Sequence, residues 1–334
     1  MALSLYLFSE FQMSNSSYLI PLAVGAAFGL ALEHGRIIEP TLIQGQFALF
    51  HHNAMIKMFL TASAVSMLGF ATLEAVFKKE TSRSTFTVDF QRGLYAVIVG
   101  PALLGMGMAI SGSCPGTVFA QLGAGSFGAL FVLAGGLCGA YGFSVFFRYL
   151  EAKRETELLS EPKLSTETVS FNDFINKKFK TTLTVHQLSY YMGGAMLALV
   201  LLLEILVPWR SDLAQVMPNA TLLTANPPIL SGILIGCAQI TLQYFQKRVL
   251  GSSSSYSCIV GNCLQGSVEC PYLDRMACNF TWQVCLMGGI TLGAFLSSTY
   301  SGAVYVGLPL TLWTAIKFFF SGAVMVFGGQ LAGT

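Results

Sequence analysis

An all-α, polytopic membrane fold is predicted by three features of the sequence. Of the 334 residues, 54% are hydrophobic and 10% are charged, whereas soluble domains carry about 25% charged residues. Apolar runs recur at the ~20-residue length that crosses a ~30 Å hydrocarbon core as a helix. Glycine contributes 34 residues and falls inside those runs, where small side chains let helices approach closely.

The runs place spans at residues 18–32, 55–77, 93–111, 125–147, 188–207, 229–244, 282–296 and 310–328. The first has no cleavage signature behind it and reads as a span, not a signal peptide. A net charge of +2 gives no ground for a nucleic-acid partner; the expected surroundings are a lipid bilayer, in a multi-pass protein of the plasma membrane. Eleven of the 18 Lys and Arg lie in two segments: Lys78, Lys79, Arg83 and Arg92, then Arg148, Lys153, Arg154, Lys163, Lys177, Lys178 and Lys180. The positive-inside rule makes both segments cytoplasmic, and two spans fit between them. The N-terminus is then inside and residues 209–226 outside. Of the Asn-x-Ser/Thr patterns at Asn15, Asn219 and Asn279, Asn219 alone falls in that outer segment.

Residues 148–185 are polar and too charged to span, so they read as a cytoplasmic linker between membrane halves at 1–147 and 186–334. The halves look related. Gly25–Gly29 opens the first as Gly232–Gly236 opens the second, and Gly107–Ser113 matches Gly328–Thr334 in size and type. Five spans separate the two repeat starts, and an odd number inverts the second half. Inverted repeats with broken helices meeting near the midplane are a transporter architecture.

The stretch that carries chemistry is Gly112-Ser113-Cys114-Pro115-Gly116-Thr117. Gly112, Pro115 and Gly116 break a helix between two apolar runs. Non-helical backbone at that depth survives only when buried in protein or lining a wet cavity. Pro115 suits the first turn of a new helix, whose free N–H groups and positive dipole end make an anion site. Cys114 would offer a polarisable neutral thiol there. The competing reading is a Gly/Pro kink with a packed cysteine, and the residues alone do not separate the two.

Among the eight cysteines there is no C-x-x-C pair and no Cys/His set at metal spacing, so no metal and no cofactor is expected. A membrane redox enzyme would want a close cysteine pair or histidines within the spans. Cys258, Cys263, Cys270, Cys278 and Cys285 cluster late, with pairing left open.

The motif resembles that of the sulphur transport (YeeE/YedE) family, and the similarity extends over nearly the whole chain. Other matching stretches are residues 29–36 with Glu39-Pro40, Lys57–Leu60, 231–236, 250–255 and 327–333. The resemblance implies an hourglass-shaped transporter with inward-dipping loops, handing thiosulfate along cysteines by S–H to sulfur hydrogen bonds. A cytoplasmic sulfur-accepting partner is left open. Two departures stand out. The second glycine motif stops at Thr334, one residue before the expected partner of Cys114, so the second half-site is expected to be incomplete. Ile37 and Ile38 stand where many members have a cysteine.

Other candidates are weighed against plainer roles. Arg36, beside Glu33 and His34, could gather anions at a vestibule or snorkel to the interface, and Lys57 is read likewise. Cys237, with Gln239 and Gln243 on one helix, could line a pore; packing is favoured. Ser252 and Ser253 could present N–H and hydroxyl groups to an anion at a dipping loop. Cys138 reads as packing. The function this supports is transport of a small sulfur-containing anion, most readily thiosulfate, without catalysis. The alternatives are a related anion such as sulfite, or a non-transporting membrane scaffold.

Overall fold

In the computed structural model, residues 16–47, 52–77, 93–160, 176–178, 180, 182–214, 225–264, 270–302 and 310–333 are described. Thirteen helices are used below: α1 (Ser16–His34), α2 (Pro40–Phe47), α3 (Ala54–Phe77), α4 (Gly93–Ser111), α5 (Thr117–Gly123), α6 (Gly128–Ser160), α7 (Val185–Leu206), α8 (Trp209–Leu213), α9 (Pro228–Gln246), α10 (Ser252–Leu264), α11 (Pro271–Ala277), α12 (Phe280–Ser301) and α13 (Leu312–Ala332). No strand occurs among the described residues. All eight expected spans are helical, as α1, α3, α4, α6, α7, α9, α12 and α13. Six of these (α3, α6, α7, α9, α12 and α13) contain stretches long and apolar enough to cross a membrane; α1 and α4 contain shorter apolar stretches, Tyr18–His34 and Ile98–Ser111.

The linker expectation needs one amendment. α6 runs on to Ser160, so the start of the polar segment continues a helix already nucleated by the apolar residues before it. Most of the rest, including Lys163, lies outside the described residues, as do Asn15, Lys78, Lys79, Arg83, Arg92, Asn219 and Thr334.

Close helix pairs are made by glycine. Gly25 and Gly29 of α1 stand against the backbone of Leu286, Gly289 and Ile290 on α12. Gly232 and Gly236 of α9 stand against Met58, Thr61 and Val65 on α3. The matched glycines therefore serve one task in each half: each seats the first span of its half against a helix of the other. α4 and α13 also pack together, Gly100 on Ala332 and Gly107 on Met325. That register makes the pair antiparallel, so its terminal glycines, Gly112 (φ 63) and Gly333 (φ 88), sit toward opposite ends.

After α1, Arg36 (φ 57) takes the left-handed conformation, and after α9 Lys247 (φ 55) does the same. Each turns the chain back into the bundle, where α2 and α10 begin. Backbone freed by these breaks needs partners in a low-dielectric interior, and glutamines provide them without charge. Gln239 Oε1 accepts from the Leu250 N–H at 2.7 Å. Gln330 Nε2 donates to the Ser253 carbonyl at 2.6 Å.

Candidate functional site

The break at Gly112–Thr117 is wholly buried. Gly112 ends α4 in the left-handed region, and a Cβ there would lie 2.5 Å from Pro40 Cβ. Glycine is thus required twice over, by backbone conformation and by the approach of the α2 start. Beyond it, Val118 N–H donates to the Cys114 carbonyl at 3.1 Å, and Gly116 already has helical angles (φ −83, ψ −40). The helical turn therefore reaches back to Cys114, with Pro115 in its first position as expected from its missing N–H.

Cys114 and Thr117 cap this turn reciprocally. Thr117 N–H donates to Cys114 Sγ at 3.3 Å, and Cys114 N–H donates to Thr117 Oγ1 at 2.6 Å. This is a capping box in which a sulfur takes the acceptor's place. One of the N–H groups expected to face an anion is thus directed at the thiol itself. Among the described residues, no acceptor engages the Cys114 S–H.

Gln121, on α5, ties the surrounding chain together. Its Nε2 donates to the Ile38 carbonyl at 2.8 Å and the Gly112 carbonyl at 3.0 Å. Its Oε1 accepts from Ser113 Oγ at 2.6 Å. From the other half, Tyr256 on α10 donates to the Pro115 carbonyl at 3.2 Å, and its ring packs on Phe119 at 5.5 Å. Ser252, the first residue of α10, closes on Gly116, where a Cβ would lie 3.3 Å from Ser252 Oγ. Starts of α2, α5 and α10 thus converge on one turn, each with its positive dipole end toward it.

A cavity of about 610 Å³ adjoins this turn, lined by residues from α1, α3, α7, α9 and α12 and by the chain entering α10. Phe28 and Ser252, which touch Gly116, are also in its wall. Met67, Met192, Met196 and Met287 line it with Ser63, Ser66 and Gln239, and no charged residue does.

Of the sequence candidates, Gly112, Ser113, Cys114, Pro115, Gly116, Thr117 and Ser252 come together. Ser253 is buried beside them, its carbonyl held by Gln330. Cys237 does not join them; it is exposed on α9, while Gln239 and Gln243 face inward. Cys138 is also exposed, contrary to its packing role: Gly135, Gly136 and Gly139 make those contacts instead, with Phe319, Tyr256 and Ala323.

Neither Arg36 nor Lys57 snorkels. Arg36 is 3% exposed and pairs with Glu33 at 2.9 Å, and Glu33 also accepts from Ser297. Lys57 is fully buried with Asp212. Internal carboxylates satisfy these cations, so neither needs to reach water.

With this geometry the comparison with known families is decisive, for the sulphur transport family model matches residues 34–333. The chain belongs to the sulphur transport family. It is a multi-pass membrane protein of a family that transports sulfur compounds. No curated protein matches it significantly. The sequence reading missed Gln121, Tyr256, Gln283, Gln330 and Tyr272, the last of which donates to Gln330. The available signal was a single amide or phenol in an otherwise apolar helix, which must find a partner in the bundle.

Proposed function

We propose that the chain carries a small sulfur-containing anion, most readily thiosulfate, through a constriction at Cys114. The observation that carries the reading is the company Cys114 keeps: a buried thiol without an acceptor for its S–H, at the meeting of three helix starts, with no charged side chain in its hydrogen-bond network. Helix dipoles offset an anion's charge without a fixed cation. A neutral S–H donates weakly to a terminal sulfur, and weak contacts favour release. Gly112, Ser113, Pro115, Gly116, Thr117, Ser252 and Ser253 shape the constriction, and Arg36 and Cys237 lie outside it.

The architecture that goes with this is a pair of inverted halves, 1–147 and 186–334, joined by a cytoplasmic linker at 148–185. Reciprocal glycine packing and the opposite placement of Gly112 and Gly333 support it, as does the occurrence of such repeats among transporters. A plasma-membrane location follows from the same reading.

Uptake of radiolabelled thiosulfate into vesicles tests it. Cys114→Ala, checked for correct insertion, abolishes uptake, and Cys114→Ser restores little of it because oxygen is less polarisable. Full uptake by the alanine variant would leave the packed-kink reading. No thiosulfate or sulfite uptake by the native chain would leave the scaffold reading.

A further inference from the structure

Away from Cys114, three ionisable side chains from three helices meet where the described structure is otherwise apolar. Lys57, at the start of α3, is fully buried. Its ammonium lies 2.7 Å from Asp212 Oδ2 on α8 and 2.9 Å from Glu204 Oε2 on α7, and it also donates to the Val207 carbonyl. All three N–H donors of the ammonium are thus engaged. Asp212 Oδ1 accepts from Asn53 N–H at 2.9 Å, and Glu204 Oε1 accepts from Trp209 N–H at 2.8 Å.

The charges do not balance. One ammonium faces two carboxylates, which leaves one net negative charge buried between helices, and unpaired charge at that depth is expensive. The other titratable neighbour is His52, whose Nδ1 lies 3.1 Å from the Asp212 carbonyl. Arg210 is exposed, with its guanidinium over the Trp209 ring. The two carboxylates differ in access. Asp212 is sealed, with a side-chain exposure of 0%, whereas Glu204 reaches solvent at 22%.

Position gives this cluster its meaning. α7 packs on α3, and two polar ties hold it there: Glu204 to Lys57 near one end, and Tyr190 Oη to Thr72 Oγ1 at 3.2 Å near the other. Between those ties, Met192 and Met196 of α7 face Ser63, Ser66 and Met67 of α3 across the cavity that adjoins the Cys114 turn. Whatever separates Glu204 from Lys57 frees one end of the helix that walls the cavity.

We infer that Glu204 is a proton-binding site coupled to transport, its carboxylate pairing alternately with the Lys57 ammonium and with a proton. Protonation turns the carboxylate into a carboxylic acid and neutralises the cluster; Lys57 stays with Asp212 and the Val207 carbonyl. Loss of the ion pair lets α7 swing from α3, and loss of the proton on the other side of the cycle restores it. Proton binding also answers a need of the cargo, since a dianion entering a negative cell interior needs a co-moving cation. This inference rests on the transport reading above.

The test uses the purified full chain in liposomes, with thiosulfate counterflow and accumulation driven by an imposed pH gradient measured in parallel. For the native chain, accumulation rises about tenfold per pH unit for each coupled proton, as the free energy of a tenfold ratio requires. Glu204→Gln keeps counterflow and loses the response to the gradient. His52→Gln keeps both. A pH indicator in weak buffer, outside the liposomes, records alkalinisation as thiosulfate enters with the native chain. A Glu204→Gln protein that accumulates thiosulfate as the native chain does, or native entry without alkalinisation, overturns the proton site alone. Loss of coupling in His52→Gln moves the proton to the histidine and overturns it likewise. Absence of counterflow in the native chain overturns the transport reading and the proton site with it.

Discussion

The turn at Cys114 and the cluster at Lys57 are both buried polar networks, yet they are built on opposite principles. Around Cys114, broken backbone is tied by Gln121, Ser113, Thr117 and Tyr256, all of them neutral. Around Lys57, helices are tied by ionised groups from α3, α7 and α8. Neutral donors hold a strained chain without fixing a field at the point an anion must cross. Ion pairs hold whole helices, and they change state when one proton is added. The first network suits a passage and the second a clamp.

The largest expected effect on stability belongs to the clamp. Lys57→Met leaves Asp212 and Glu204 without their cation, and breaking a buried pair in this way costs about 3–5 kcal/mol. Thermal unfolding in detergent, followed by size-exclusion fluorescence, measures it. Adding Asp212→Asn to that variant recovers part of the loss; if it recovers none, the clamp is not held by charge. Next comes Gly112→Ala. A left-handed alanine costs about 1–2 kcal/mol, and its Cβ also drives Pro40 away from a 2.5 Å approach, so uptake falls as well as stability.

Gln121 sharpens the contrast between the two networks. Gln121→Leu removes the donor to the Ile38 and Gly112 carbonyls and costs about 1–3 kcal/mol. Gln121→Glu brings a carboxylate beside Cys114 and lowers thiosulfate uptake further than Leu does. Equal uptake by the two variants would mean that neutrality at this turn carries no function. The smallest effect is expected at Cys237, exposed on α9: Cys237→Ala leaves stability within about 0.5 kcal/mol and uptake unchanged.

Much of the fold was legible because lipid imposes a simple grammar. Every span has to satisfy its own backbone, so apolar length alone marked the eight long helices. The Gly112–Thr117 break was legible for the reverse reason, as Gly and Pro at that spacing cannot continue a helix. Less could be read of the charges. Arg36 and Lys57 looked like interfacial cations because each lies near a helix end, and a sequence does not reveal that Glu33 or Asp212 will be beside it. Asp212 is 155 residues from Lys57.

By itself, then, the sequence determined the class of solvent, the long helices, the family and the broken turn with its cysteine. These follow from local composition and from spacing along one chain. Tertiary structure alone decided which distant groups complete the turn, namely Tyr256 and Ser252 from the other half. It also decided which cysteines face inward and how the buried ions pair. Those outcomes depend on helix rotation and register, which close contacts such as Gly25 on α12 and Gly100 on Ala332 set. Interiors pack too tightly for a helix to turn freely about its axis, so the face each side chain takes is fixed only once its neighbours are in place.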